Sequence, residues 1–103
     1  MIRGQLVEDH SALEDSEVVG TVTLVYDHHR RQVQKALTNV QHKHLRTIVS
    51  TLHVHLDHDN CLEVLVVRGR ASLVRNVADH LIATKGVKHG KLTLTTTGRE
   101  LPR

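Results

Sequence analysis

Residues 48–69 read IVSTLHVHLDHDNCLEVLVVRG, and this stretch decides the fold. Two runs rich in β-branched residues, 48–56 and 60–69, flank the short polar segment 57–59. Two such runs joined by a short polar loop are typical of a β-hairpin. The sequence therefore predicts two antiparallel strands that pair directly with each other.

The segments on both sides of the hairpin each add a strand and a helix. Residues 18–27 and 91–97 are rich in β-formers and predict strands. Apolar residues recur at helical spacing in two further segments, and we expect Ser72 to cap the second helix and Gly86 to follow its end. These apolar residues are Val33, Ala36, Leu37 and Val40, then Val74, Val77, Ala78, Leu81 and Ile82. The order β-α-β-β-α-β predicts an α+β, ferredoxin-like sandwich, in which two helices cover one face of an antiparallel sheet.

The hairpin also aligns side chains that can bind metals. A turn centred on His58 places His55 opposite Cys61 and His53 opposite Glu63, and directly opposed residues share one face of the sheet. An apolar set shares the other face, and a slip of one residue would scatter both sets. This apolar set is Leu52, Val54, Leu62, Val64 and Val66. We expect the helices to pack on the apolar set and the donors to lie on the helix-free face.

The expected donor face is not wholly polar. The same alternation of side chains along the strands also places Val49, Leu65 and Val67 on this face. Apolar residues on the helix-free side of a sheet indicate that another subunit covers it. We therefore expect the metal site to lie at or near a subunit interface.

Composition limits the classes of function. Histidine is over-represented, with 10 of 103 residues, and Cys61 is the one cysteine, so no internal disulfide forms. Tyr26 is the one aromatic residue among Phe, Tyr and Trp, which argues against recognition of nucleic acid by base stacking. The 14 lysines and arginines are scattered rather than clustered. No apolar run is long enough to span a membrane and no signal peptide is evident, so we expect a cytoplasmic location.

The residues alone leave the identity of the metal open. One thiolate with several imidazoles suits nickel, copper or zinc, and three donors rarely complete a site. Cys61 could also be a small buried hydrophobic residue. An enzyme with Cys61 as nucleophile is a weaker hypothesis, because no oxyanion-hole motif is visible. His28, His29, His58, His80 and His89 are expected to be ordinary surface residues or weak, adventitious metal sites.

The stretch STLHVHLDHDNCLEV, residues 50–64, together with GVKHGKL, residues 86–92, closely resembles the regulatory domain of the nickel-responsive transcriptional repressors, NikR. The resemblance runs from about residue 18 to residue 96. It implies an ACT-like βαββαβ fold and a roughly square-planar nickel(II) site, one Ni²⁺ per subunit, at a tetramer interface. By this resemblance His53, His55 and Cys61 come from one subunit and His42 from a neighbour. Tyr26, Gln41 and Glu63 match positions that orient the ligands or cover the metal.

The resemblance also predicts the domain organisation. Family members begin with a ribbon-helix-helix DNA-binding domain, and we expect this chain to lack it. Residues 1–17 are expected to be its remnant and a linker, 18–98 the nickel-binding and tetramerisation domain, and 99–103 a tail. The expected function is nickel sensing within a homotetrameric repressor that contacts DNA only through the missing domain. We expect the chain to be neither an enzyme nor a membrane protein. A zinc- or copper-binding module, or an ACT-like domain that binds a small ligand, is the alternative.

Overall fold

A computed structural model describes residues 16–98. The predicted remnant at 1–17 and tail at 99–103 lie outside the described residues, apart from Ser16 and Glu17. The described elements, in chain order, are β1 (Glu17–Asp27), α1 (Arg31–Lys43), β2 (Ile48–His55), β3 (Asn60–Arg70), α2 (Ala71–Ile82) and β4 (Val87–Thr96).

All strand pairs of the sheet are antiparallel. The strand order is β2-β3-β1-β4, so the first and third strands occupy the centre and β2 and β4 form the edges. The pairing of β1 with β3 runs without a shift from Glu17 opposite Arg70 to Asp27 opposite Asn60. This order and pairing confirm the ferredoxin-like fold that the sequence predicted.

The helices form where the apolar stripes were predicted, with different ends. Val33 and Leu37 are buried along α1, and that helix extends to Lys43. The second helix begins at Ala71, so Ser72 lies in its first turn rather than at its cap. It ends at Ile82, and Gly86 lies in the following turn with φ of 102°. A Cβ at Gly86 would clash with Cγ2 of Val33, so this turn requires glycine.

The hydrophobic core lies on the face of the sheet that carries Cys61. On β1, Val22, Leu24 and Tyr26 are buried, and on β3 Cys61, Glu63, Leu65 and Val67 are buried. They pack with Val33 and Leu37 of α1 and with Val74, Val77, Ala78 and Leu81 of α2. The prediction of the sheet face was therefore wrong, because the helices cover the side that carries the donors.

The error has a clear physical origin, since β3 is apolar on both faces. Leu62, Val64 and Val66 are partly buried on the side away from the helices, whereas Leu65 and Val67 are fully buried beneath them. The large residues of β1 decide which face the helices cover. Because β1 and β3 are distant in the sequence, the pattern of the hairpin alone does not contain this information. Leu65 and Val67 are thus covered by their own chain rather than by a second subunit.

The edge strand β2 is the least covered element of the sheet. Each of its residues after Ile48 is exposed, including Leu52 at 60% and Val54 at 37%. In the described part of the chain, no helix is both long and apolar enough to cross a membrane. The donors on β2 therefore lie at the rim of the fold, on a strand whose single neighbour in the sheet is β3.

Candidate metal site

The hairpin register is the one that the alternation predicted. His55 lies opposite Cys61 and His53 opposite Glu63, and the pairing shifts only near the far end, between Ile48 and Ser50. Asp57 closes the turn, because its Oδ1 accepts hydrogen bonds from the backbone nitrogens of Asp59 and Asn60 at 2.9 and 2.8 Å. These bonds lower the pKa of Asp57. The turn is thus fixed by local interactions, and it holds the two donor strands in register.

Cys61 is fully buried beside the exposed His55. The distance from its Sγ to Nδ1 of His55 is 3.6 Å. Burial raises the pKa of the Cys61 thiol, and the carboxylates of Glu63, Asp27 and Asp57 raise it further. A thiol in this environment stays protonated at neutral pH unless a cation stabilises the thiolate.

A buried carboxylate lies next to the donors. Glu63 is 5% exposed, and its Oε1 accepts a 2.8 Å hydrogen bond from the Tyr26 hydroxyl. Its Oε2 accepts a 2.9 Å hydrogen bond from Nε2 of Gln41, at the end of α1. Burial and then the Glu63 carboxylate raise the pKa of Tyr26, so the phenol remains a donor. Each oxygen of the buried charge therefore has a partner, as a buried carboxylate requires.

This network also orients His53. Nδ1 of His53 lies 3.4 Å from the Tyr26 hydroxyl and 3.8 Å from Oε1 of Glu63. Because Nδ1 faces the network, Nε2 on the other edge of the ring is directed away from it. An open cleft of about 340 Å³ adjoins this point, and it is lined by Tyr26, Gln34, Leu37, Thr38, Gln41, His53 and Glu63.

The chain brings together only some of the predicted ligands. His28, His55 and Cys61 each offer a ligand atom, and these atoms lie within 4.8 Å of one another. His53 lies beside His55, with 5.5 Å between ring centroids, but it is not part of that group. His42 is exposed in the last turn of α1.

The sequence analysis did not predict that His28 lies beside His55 and Cys61. It follows the end of β1, where Tyr26 lies opposite Cys61, so the pairing of β1 with β3 carries it to the hairpin. Its ring lies 5.2 Å from that of His55, and its Nε2 contacts the backbone oxygen of His58. The sequence does show that His28 directly follows a predicted strand. Its approach to the hairpin could be predicted only from the register of β1 against β3, two strands that are distant in the sequence.

Comparison with known proteins identifies the family. Residues 19–95 match the family described as "NikR C terminal nickel binding domain". The chain belongs to this family. NikR-type relatives match over 101 residues. One from Solibacter usitatus is 65% identical and one from Geobacter sulfurreducens 60%, each over 98% of this chain and 73% of the relative. Both are named as candidate nickel-responsive regulators.

These matches confirm the resemblance on which the sequence analysis relied. The NikR C-terminal domain is a domain of regulators rather than of enzymes, as predicted. In structure, the chain also resembles an uncharacterized protein of Thermotoga maritima, with a TM-score of 0.68 and 14% identity. That likeness covers 77% of this chain and 98% of the other, and at this identity it supports the fold alone.

Proposed function

We propose that this domain senses nickel(II) through His53, His55 and Cys61 of one chain and His42 of a neighbouring chain, with one ion per subunit. The observation that carries the proposal is the placement of one thiol opposite one imidazole, 3.6 Å apart, on paired strands. Thiolate and imidazole donors together suit nickel, copper and zinc. Membership of a nickel-binding domain family favours nickel among them.

The positions of the two β2 histidines suggest which ring nitrogen each would use. His55 turns Nδ1 towards the sulfur of Cys61, so Nδ1 is its proposed ligand atom. His53 turns Nδ1 towards Tyr26 and Glu63, so Nε2 is its proposed ligand atom. A hydrogen-bonded Nδ1 fixes the tautomer and the ring orientation of a metal-binding histidine.

Exposed apolar residues support a subunit interface at β2. Among the described residues, the exposed large apolar side chains are Leu45, Val49, Leu52, Val54, Leu56 and Leu73, and all but Leu73 lie within 45–56. Such clustering is typical of a surface that a partner covers. We propose that this surface packs against other copies of the chain in a homotetramer. His42, exposed at the end of α1, would then be available to a neighbour.

The sensing step follows from a site shared between chains. Bound nickel would link the β2–β3 hairpin of one subunit to the end of α1 in another. Nickel would favour the arrangement of subunits in which the four donors meet over the arrangement in which they do not. The size of this preference equals the difference in nickel-binding free energy between the two arrangements. DNA contact through a separate domain would report that arrangement, in the cytoplasm where the DNA lies.

The test is complementation between two inactive variants. His42→Ala and Cys61→Ser should each abolish thiolate-to-nickel absorption at one equivalent of Ni²⁺. After the two variants are unfolded and refolded together, mixed oligomers contain sites with His42 from one chain and Cys61 from the other. We expect the absorption to return in part. No return, with mixed oligomers demonstrated by mass spectrometry, would contradict a shared site.

A second candidate is a zinc or copper site within one chain, supported by the proximity of His28 to His55 and Cys61. Nε2 of His28 also contacts the backbone oxygen of His58, which ties the end of β1 to the hairpin turn. X-ray absorption would separate the candidates, since tetrahedral coordination favours zinc, and the absorption edge distinguishes nickel from copper(II), which both favour square-planar coordination.

A further inference from the structure

A second group of metal-binding side chains lies on the outer surface. His29, His58 and Asp59 each offer one ligand atom, and these atoms lie within 4.8 Å of one another. All three residues are exposed. None of them belongs to the ligand set proposed for nickel, so the group is a separate feature of the fold.

Two turns that are distant in sequence form this group. His29 lies in the turn between β1 and α1, whereas His58 and Asp59 lie in the turn of the hairpin. A 3.0 Å backbone hydrogen bond from the nitrogen of His28 to the oxygen of Asp59 joins the two turns. The hairpin turn is held in addition by the Asp57 carboxylate. The backbone beneath the three donors is therefore fixed on both sides.

The donor groups of the three residues lie close together. Nε2 of His29 lies 3.5 Å from Oδ1 of Asp59 and 3.0 Å from the backbone oxygen of His58. The ring of His58 lies 5.1 Å from that of His29. Two imidazoles and a carboxylate thus lie around one point, as in sites for first-row divalent metals.

We propose that His29, His58 and Asp59 form a second divalent-metal site, contained within a single chain. Nitrogen and carboxylate donors of this kind suit zinc, nickel and copper(II), with water completing the coordination. The site has three protein donors, no thiolate and full access to solvent. It therefore binds Ni²⁺ more weakly than the site at Cys61, and it fills without a neighbouring subunit.

The experiment is a Ni²⁺ titration of the full chain, followed by calorimetry and by thiolate-to-nickel absorption. We expect a tight class of sites that generates the absorption and a weaker class that does not. In the double variant His29→Gln with Asp59→Asn, the weaker class should bind at least about tenfold less tightly. The absorption of the tight class should be unchanged. His58→Gln alone should weaken the same class.

His80→Gln, at an exposed histidine of α2, is the matched control and should retain both classes. An unchanged weaker class in the double variant would overturn the second site. An equal loss in His80→Gln would also overturn it, because binding would then be spread over surface histidines. The nickel site at Cys61 is tested separately, since its absorption depends on none of these substitutions.

Discussion

The hydroxyl of Tyr26 donates a 2.8 Å hydrogen bond to the carboxylate of Glu63, and both side chains are almost fully buried. The two residues are 37 positions apart, on neighbouring central strands of the sheet. Through this bond Tyr26, the only residue of the sequence among Phe, Tyr and Trp, holds a buried negative charge beside His53. Stability of the domain and orientation of a proposed ligand therefore depend on the same pair.

Tyr26→Phe should destabilise the domain and weaken nickel binding. Removal of the hydroxyl leaves Oε1 of Glu63 without its buried donor, at an expected loss of about 1–3 kcal/mol in the free energy of unfolding. Loss of the contact to Nδ1 of His53 should reduce nickel affinity roughly 10–100-fold. Urea unfolding of the metal-free protein and Ni²⁺ titration measure the two effects. Unchanged nickel affinity in a destabilised variant would show that Tyr26 does not orient His53.

Stability should fall at alkaline pH. The pKa of Tyr26 is raised above its ordinary value of 10.0, chiefly by burial and then by Glu63. A raised pKa favours the neutral form in the folded protein, so the contribution of Tyr26 to stability is complete below pH 10 and is lost as pH rises further. The raised pKa of Cys61 acts in the same direction above its ordinary value of 9.0.

Urea unfolding between pH 7 and pH 11 measures this dependence. The free energy of unfolding should fall less in Tyr26→Phe than in the unsubstituted protein above pH 10. In Cys61→Ser it should fall less than in the unsubstituted protein above pH 9. Curves parallel to that of the unsubstituted protein in both variants would rule out these two groups as the cause.

Nickel affinity should rise with pH through release of the Cys61 proton. Burial first, and then the nearby carboxylates, raise the pKa of the Cys61 thiol, so it is protonated at neutral pH. A thiolate ligand must lose that proton, and the affinity then increases up to about tenfold per pH unit below the pKa. Calorimetry in buffers of different ionisation enthalpy counts the protons released. A count of zero would argue against Cys61 as a ligand.

Substitution of His28 and of His53 should have different effects on nickel binding. His53→Ala removes a proposed ligand and should lower affinity by more than about tenfold. His28→Ala removes the contact to the backbone oxygen of His58 and should leave the thiolate-to-nickel absorption in place. The measurement is the same Ni²⁺ titration for both variants. The reverse order of effects would assign the third ligand of the chain to His28.

Charged residues on β2 should disrupt assembly without unfolding the chain. Leu52 is 60% exposed and Val54 is 37% exposed, so Leu52→Lys with Val54→Lys removes little from the core of a single chain. Light scattering should report a smaller oligomer, and circular dichroism an unchanged fold. Leu73→Lys, at the 40% exposed residue of α2, is the control and should retain the oligomer. Equal masses for both variants would mean that β2 is not an interface.

The hairpin register of the candidate site was predictable because a hairpin is local. Alternation of side chains and the short turn at Asp57 were enough to pair His55 with Cys61 and His53 with Glu63. The family resemblance implied that Tyr26, Gln41 and Glu63 orient the ligands or cover the metal. The structure adds that Tyr26 and Gln41 each donate a hydrogen bond to Glu63. The approach of His28 to the hairpin could not be found in this way. It depends on the pairing of β1 with β3, across an intervening helix and strand.

The sequence by itself determined the order of strands and helices, the register of the hairpin and the family of the domain. The tertiary structure alone decided which face of the sheet the helices cover. Both faces of β3 are apolar, so the hairpin pattern is compatible with either choice. Burial of Val22, Leu24 and Tyr26 beneath the helices resolves it, and this places Cys61 in the core and leaves Leu52 and Val54 exposed. The register of a hairpin depends on residues that are close together in the sequence. The face of the sheet that becomes the core depends instead on the apolar area that all the elements bury together.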